Sequence, residues 1–412
     1  MTVEHALLLA QVIGIPIVQS PLIMYVNWPL LTSMYNISRL SLKEFGRLSF
    51  YPDTWQELAA VMHQVNATAS DPITGKPRHA LCMPSETGST FLFTAVLTSI
   101  MQTGGTSQGW LYDPLTLEPL TNNTAMLKAL EMMWELSPFL RGFDASSTID
   151  MSQCAIALAP SSLFKSLHPL YSNAQFMGQL TMSPLPASTD VLDRKTMQLV
   201  PCTAQLCNSQ RATKLGGQLV NLAPTSHRGA ASFLGMTTLV PPKLRTAVYN
   251  LIAYICSPGV SKSPLNPFAP FRPSGLLAYA FPEPETTPGI SSWSRQGYNY
   301  TDVVSYSTAL EQVVAMPFVA DDFKVADSLG SLYYGQNALL TLVGCKMPLV
   351  PRSAGSPADF AAAMNSMTAG LRAVRDSLGA AALREQLWGT TGFVPPTQPP
   401  PPTPPSPSPP LA

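Results

Sequence analysis

The sequence has few charged residues, and those it has cancel. Of 412 residues, 24 are Lys or Arg and 24 are Asp or Glu, which gives a formal net charge of zero and a charged fraction of 12%. Globular proteins usually carry about twice that fraction. Binding to a nucleic-acid backbone or an anionic membrane needs clustered basic residues. We therefore expect no nucleic-acid partner and no electrostatic attachment to a membrane.

Residue spacings typical of metal and cofactor sites are also lacking. No cysteine pair has the CxxC spacing of a zinc site, and the five histidines lie far apart. No P-loop, HExxH motif or dinucleotide-binding fingerprint is present. We expect no cofactor and no metal. Cys202 and Cys207 either close a small disulfide loop, as in proteins of oxidising compartments, or remain buried free thiols.

No hydrophobic run is long and uninterrupted. Residues 6–26 have the length of a membrane span, but Gln11, Gln19 and two prolines interrupt them. A signal peptide would need a basic start and a small-residue cleavage site, and neither is evident. We interpret this stretch as a helix followed by a buried strand.

Proline is abundant, with 41 residues, and its densest run forms the end of the chain. Because proline fixes φ and lacks an amide donor, residues 393–412 cannot join a helix or a sheet. We predict a disordered, extended tail or linker there.

Helical and strand patterns alternate along the rest of the chain. Thr54 and Glu57 have the spacing of a capping box before an apolar helical face, and Asn123 or Thr124 starts a second helix. A third helix carries an apolar stripe from Phe360 to Leu378 and ends at Gly379. Short apolar runs predict strands at Gly14–Val18, Leu22–Val26, Ala155–Ala159 and Gln218–Leu222. This alternation is typical of α/β architecture.

One enzyme motif occurs literally, the G-x-S-x-G of residues 105–109. A nucleophile elbow needs a strand before its serine and a helix after it. Here a helical pattern, residues 91–101, precedes Ser107, and Trp110 to Pro114 follow it. We interpret the motif as a chance loop, and a serine hydrolase that uses Ser107 is the alternative.

Several segments, in order, resemble the sugar-binding, maltose-binding-protein-like family of extracellular solute-binding proteins. The similar segments are Ile15–Leu31, the Pro-x-Thr-Trp-x-Glu-Leu run at 52–58, Asp71–Met83, Asn123–Leu136, Gln153–Phe164, the double-glycine segment 215–218 with Ser226–Leu239, and Pro270–Ser274.

The resemblance implies a type 2 periplasmic-binding-protein-like fold, in which two α/β lobes are joined by a hinge. Carried over, residues 1–19 and 215–306 would form lobe one, residues 20–214 and 307–392 lobe two, and residues 1–392 one solute-binding-like domain. In the family a much longer segment precedes the Ile15–Leu31 region. We therefore expect a first lobe that is incomplete at its N-terminus, as in an N-terminally truncated chain.

By motif position, the resemblance also assigns a ligand-binding cleft. Its candidate residues are Gln19, Ser20, Glu86, Ser89, Thr90, Ser161, Ser162, Gly217, Gln218 and Arg272. Glu86, Ser89 and Thr90 are expected in a loop after the strand that ends near Met83. Trp110, Trp293 and Tyr298 are candidate aromatic residues for stacking on a sugar ring.

The implied function is non-enzymatic binding of a small polar solute, such as a carbohydrate, by hinge closure. Implied partners are a membrane permease or a fused signalling domain. Sequons at Asn36, Asn66, Asn122 and Asn299 favour an extracellular or cell-surface glycoprotein, exported by a signal that this sequence does not show. A structural relic that binds nothing is a further alternative.

Overall fold

The computed structural model describes residues 7–8, 11–12, 15–37, 52–65, 70, 75, 78–143, 151–167, 178–207, 212–215, 218–222, 226–234, 236, 239–255, 297–315, 358–391 and 393–395. The strands are β1 Leu7–Leu8, β2 Gln11–Val12, β3 Ile15–Asn27, β4 His79–Pro84, β5 Leu140–Phe143, β6 Cys154–Pro160, β7 Leu180–Ser183, β8 Asp190–Asp193, β9 Gln198–Pro201, β10 Ala212–Leu215, β11 Gln218–Asn221 and β12 Ser226–Leu234. The α-helices are α1 Trp28–Tyr35, α2 Trp55–Gln64, α3 Ser85–Met101, α4 Thr124–Leu136, α5 Leu163–Ser166, α6 Pro242–Ile255, α7 Tyr300–Ala315, α8 Ala358–Leu378 and α9 Ala380–Thr391.

A six-stranded mixed sheet organises the described part of the chain. Its strand order is β12-β3-β6-β4-β5, and β7 also pairs with β3. β4 is parallel to both β5 and β6, whereas β3 is antiparallel to β6, β7 and β12. β3 changes partner along its length: β12 pairs between Ile15 and Pro21, and β7 pairs between Met24 and Asn27.

Two apolar cores cover the opposite faces of this sheet. Along β3, Met24 and Val26 face the larger core, whereas Ile23 and Tyr25 face the smaller one. This alternation is the period of two that a strand imposes on its side chains. Helices α2, α3, α4 and α8 contribute to the larger core, and α7 contributes Val303, Tyr306 and Leu310 to the smaller one. The predicted α/β architecture is confirmed.

Local capping signals explain where three helices begin or end. At α2, Thr54 and Glu57 form the predicted capping box, in which each side chain binds the other residue's backbone amide. At α4, Asn123 Oδ1 accepts a hydrogen bond from Met126 N. α8 ends at Gly379, whose φ of 79° is the left-handed conformation that glycine adopts most easily.

The N-terminal predictions are partly wrong. The expected helix within residues 6–26 is absent from the described residues there, which form a short β1–β2 hairpin followed by β3. The two strands predicted at Gly14–Val18 and Leu22–Val26 are one continuous strand. Pairing with β12 and then with β6 and β7 holds that strand together through Pro21, which sequence periodicity alone does not show.

Four of the six cysteines form disulfides. Cys202 and Cys207 are joined, so the first of the two alternatives for this pair is correct. A second disulfide, which the sequence did not suggest, joins Cys82 of β4 to Cys154 of β6. The other two cysteines, Cys256 and Cys345, lie outside the described residues.

The last described residues are attached to the body of the protein through aromatic side chains. Trp388 Nε1 of α9 donates a hydrogen bond of 2.7 Å to the carbonyl oxygen of Pro114. The ring of Phe393 lies 5.6 Å from that of Trp388, measured between centroids. Of the predicted proline-rich tail, residues 396–412 lie outside the described residues.

Candidate functional site

One edge of the sheet gathers several of the predicted site residues. β4 and β6 run parallel, with Leu81 opposite Ile156, so both strands end at the same edge. β3 runs the opposite way and enters from that edge, with Leu22 opposite Pro160. In α/β proteins, ligands bind at the carboxyl ends of such strands. We call this the carboxyl edge of β4 and β6.

Gln19 and Ser20 reach this edge through β3. Ser161 N donates a 2.8 Å hydrogen bond to the carbonyl oxygen of Pro21, which places the backbone after β6 beside the backbone of Ser20. The predicted pairs Gln19 and Ser20, and Ser161 and Ser162, therefore lie next to one another, although the pairs are more than a hundred residues apart in the sequence.

Glu86, Ser89 and Thr90 are not in a loop, and that prediction is wrong. α3 begins at Ser85, directly after β4 ends at Pro84, so these three residues lie in its first turns. The serine and threonine residues here favour caps and turns locally. Residues 92–101 are buried in the larger core, and their packing stabilises a helix that begins directly after β4. Glu86 thus remains at the carboxyl edge.

The loop after β6 is held from beneath by Tyr25. The Tyr25 hydroxyl lies 3.1 Å from the carbonyl oxygens of both Pro160 and Ser161, and it accepts a hydrogen bond from Phe164 N. Burial raises the pKa of Tyr25 well above its ordinary value, so the phenol stays protonated. Sequence reasoning missed this residue because an apolar strand context gives no signal for a polar role.

Ser161 and Ser162 differ in accessibility. Ser161 is fully buried, at 0% exposure, and its side chain interacts with that of Tyr306, whose ring stacks on that of Phe164 with centroids 4.3 Å apart. Ser162 is partly exposed at the start of α5. In this arrangement Ser162 is the one of the pair that a solute in solvent reaches.

Of the three remaining candidates, only Gln218 lies within the described residues. Gln218 begins β11, and the end of that strand is anchored at the far end of α3, where Asn221 Nδ2 donates to the carbonyl oxygens of Ser99 and Gln102. Ser99 follows Glu86 by 13 residues in α3, so at about 1.5 Å per residue this anchor lies roughly 20 Å from Glu86 along the helix axis. Gly217 and Arg272 lie outside the described residues.

Two of the three aromatic candidates for sugar stacking are core residues. Trp110 belongs to the larger core and Tyr298 to the smaller one, and both are buried. Trp293 lies outside the described residues.

Ser107 does not occupy a nucleophile elbow. It lies in a short 3-10 turn, Thr106–Gln108, that follows α3 instead of a strand. Arg194 fixes this turn, because its Nη2 donates to the carbonyl oxygens of Gln108 and Gly109. Burial lowers the pKa of Arg194 to about 10, so the guanidinium remains charged at neutral pH. The contacts with Arg194 therefore account for the conformation of this turn without a catalytic role.

Two negative findings apply to the described residues only. Within them, no three or more His, Cys, Asp or Glu side chains cluster as a metal site would require. Among the same residues, no helix combines the length and the apolar character needed to cross a bilayer.

Comparison with known proteins identifies the fold. No family model matches the sequence, and no curated protein matches it either. Solved structures do match. The maltose-bound MalE3 protein of T. maritima is 12% identical, with a TM-score of 0.53 over 89% of this chain and 73% of that chain.

Two further solved structures give the same result. A chitin oligosaccharide binding protein is 10% identical, with a TM-score of 0.53 over 91% of this chain and 75% of its own. A solute-binding protein from Agrobacterium radiobacter K84 in complex with ribitol is 12% identical, with a TM-score of 0.50 over 89% and 72%. The chain therefore has the two-lobed α/β fold of the sugar-binding, maltose-binding-protein-like solute-binding proteins.

Proposed function

We propose that this chain is a non-enzymatic solute-binding protein that holds a small hydroxylated solute, of the carbohydrate or polyol class, between two lobes. The observation that carries the proposal is the meeting of Gln19, Ser20, Glu86 and Ser162 at the carboxyl edge of β4 and β6, in a fold whose solved examples include proteins bound to maltose and to ribitol. Polar residues brought to such an edge by the backbone suit the recognition of hydroxyl groups.

The two lobes would meet along β3. We propose the division that the resemblance implies, in which lobe one comprises residues 1–19 and 215–306. Two of its boundaries, those at residues 215 and 306, are moved for the following reasons. The β10–β11 hairpin is anchored on α3 through Asn221, and α7 is one helix from Tyr300 to Ala315 that packs on β7. Met182 N of β7 donates to Ser305 Oγ, a bond of 2.7 Å. We therefore propose that the chain passes from lobe two to lobe one near residue 222 and returns to lobe two near residue 298.

Glu86 would supply the strongest single contact, because a carboxylate accepts hydrogen bonds from sugar hydroxyl groups. A hydrogen bond to a charged group is worth about 1.5–3 kcal/mol. Gln19, Ser20 and Ser162 would add neutral hydrogen bonds. Ser89, Thr90, Ser161, Gly217, Gln218 and Arg272 stay in the proposal as residues of the cleft or its surroundings, and only variants test them individually.

The proposed partner is a membrane permease, which would receive the loaded protein outside the cytoplasm. Disulfides persist in oxidising compartments, so the pairs Cys82–Cys154 and Cys202–Cys207 support an extracytoplasmic location. The other proposed partner, a fused signalling domain, finds no support in the comparisons.

Binding is tested by thermal stabilisation and calorimetry with maltose, maltotriose, chitobiose and ribitol. We expect at least one of these solutes to raise Tm and Glu86→Gln to weaken its Kd about tenfold, the equivalent of roughly 1.4 kcal/mol. Glu135→Gln is the matched control, because Glu135 lies on α4 and pairs with His63. Equal affinity in wild type and Glu86→Gln would exclude Glu86 from the site.

Hinge closure is tested separately by small-angle X-ray scattering. A solute that contacts both lobes shifts the population towards the closed form, so the radius of gyration should fall when it binds. Absence of binding to every member of the panel, together with an unchanged radius, would favour the alternative of a structural relic.

A further inference from the structure

Two of the four sequons lie entirely within the described residues, and their surroundings differ. They are Asn122-Asn123-Thr124, directly before α4, and Asn299-Tyr300-Thr301, at the start of α7. The sequon at Asn36 extends into residues outside the described part, and the sequon at Asn66 lies wholly outside it. An N-linked glycan is large and strongly hydrated, so the folded protein accommodates it only where the asparagine side chain points into solvent.

Asn122 meets this condition. Its side chain is exposed, and its Nδ2 makes one long hydrogen bond of 3.4 Å to the equally exposed Asn365 Oδ1. The neighbouring Asn123 caps α4, so the helix start does not depend on Asn122. Thr124 Oγ1, the hydroxyl that completes the sequon, lies in an exposed hydrogen bond to the Met197 carbonyl oxygen.

Asn299 does not meet this condition. Its side chain is half-buried, and its Oδ1 accepts a hydrogen bond from Thr301 N at the start of α7. A methyl group built on Gly178 would lie 2.9 Å from Asn299 Nδ2, which shows how closely the amide packs against that backbone. A sugar on this nitrogen would have to displace the segment that carries Gly178.

We propose that Asn122 is an N-glycosylation site of the folded protein and that Asn299 is not. A bond forms between Asn122 Nδ2 and C1 of the first sugar, and the bond from C1 to the oxygen of a lipid-linked diphosphate donor breaks. The amide proton that is lost leaves with the lipid diphosphate, and no oxidant or reductant takes part. The proposal requires entry into a glycosylating secretory pathway but not solute binding, so the two proposals fail independently.

The experiment is translation of the full chain, behind a cleavable signal peptide, in the presence of microsomes. Only protease-protected chains are scored, so every scored chain has met the transferase. We expect Asn122→Gln and Thr124→Val to remove the electrophoretic shift of one glycan, and Thr124→Ser and Asn299→Gln to leave the shift unchanged.

Site assignment uses enzymatic deglycosylation in heavy-oxygen water followed by peptide mass spectrometry. In chains secreted from cultured cells, we expect heavy oxygen at residue 122 and none at residue 299. An unmodified Asn122 in translocated chains would overturn the proposal, and so would a glycan on Asn299 in secreted chains with both disulfides formed.

Discussion

Tyr25 shows how much one hydroxyl contributes to the candidate site. Tyr25→Phe leaves the carbonyl oxygens of Pro160 and Ser161 without the donor that lies 3.1 Å away, at a buried position. We expect a loss of about 1–3 kcal/mol in the free energy of unfolding, because buried polar groups lose their partner. Urea denaturation measures the loss.

The matched control for this variant is Tyr35→Phe. The Tyr35 hydroxyl is buried, and no residue in the described part of the chain forms a hydrogen bond with it. Removing an unpaired hydroxyl should leave stability unchanged or raise it slightly. Equal losses in the two variants would show that the Tyr25 contacts contribute nothing specific.

His79 gives the protein an acid-sensitive contribution to stability. Burial, and secondarily the charge of Arg141, lower the pKa of His79 from its ordinary value of 6.5. At pH values between the pKa of His79 in the folded state and its higher pKa in the unfolded state, the unfolded state binds more protons. The contribution of neutral His79 to stability is therefore fully present above about pH 6.5 and is lost as the pH falls. His79→Gln should flatten this part of the curve of urea midpoint against pH, and an unchanged slope would contradict the assignment.

The residues of the site were predictable only through resemblance to a family. Polar residues such as Ser20 and Ser162 give no catalytic or ligand signal by themselves, because serine in loops usually caps turns. Their proximity depends on the pairing of β3 with β6, which are more than a hundred residues apart. Tyr25 and Arg194, which hold the loops, had no sequence signal for their roles.

At the scale of elements, predictions succeeded where the signal is local. The capping box of α2, the Asn123 cap of α4 and the glycine after α8 are each encoded within about four residues. The start of α3 and the continuity of β3 were mispredicted because burial and long-range pairing override local preference there. Element boundaries that depend on tertiary contacts are therefore the ones that cannot be predicted from local sequence.

The cap of α2 should have a measurable effect. Thr54→Ala removes the acceptor for Glu57 N, a bond of 3.2 Å, and should cost about 1 kcal/mol of stability. Thr54→Ser retains the hydroxyl and is the control. Both are compared by thermal unfolding, and a Ser variant as unstable as the Ala variant would show that the hydroxyl is not the cause.

The two disulfides should contribute unequally. They enclose sequence separations of 72 and 5 residues. Loop-closure entropy then predicts that Cys82–Cys154 contributes about 4 kcal/mol to the free energy of unfolding and Cys202–Cys207 about 2 kcal/mol. Urea denaturation of the C82A/C154A and C202A/C207A variants measures both, and a larger loss for the short loop would contradict this order.

Across the whole molecule, stability should be distributed unevenly. β4 and β6 lie between two cores, whereas Ile252 is the only buried residue of α6, whose Leu244, Tyr249, Leu251 and Tyr254 are exposed. Hydrogen exchange should be slowest in β4 and β6 and much faster in α6, because local opening needs less free energy where little is buried. Similar protection in all three elements would contradict this picture.

The contact of Trp388 with Pro114 and Phe393 has a mechanical consequence. Tension transmitted along the backbone from beyond residue 395 would reach the folded body at this pair of rings and at the indole bond to the Pro114 carbonyl. The attachment lies in the segment between α3 and α4. A pull on the proline-rich end would therefore load α9 and its bond to the Pro114 carbonyl first.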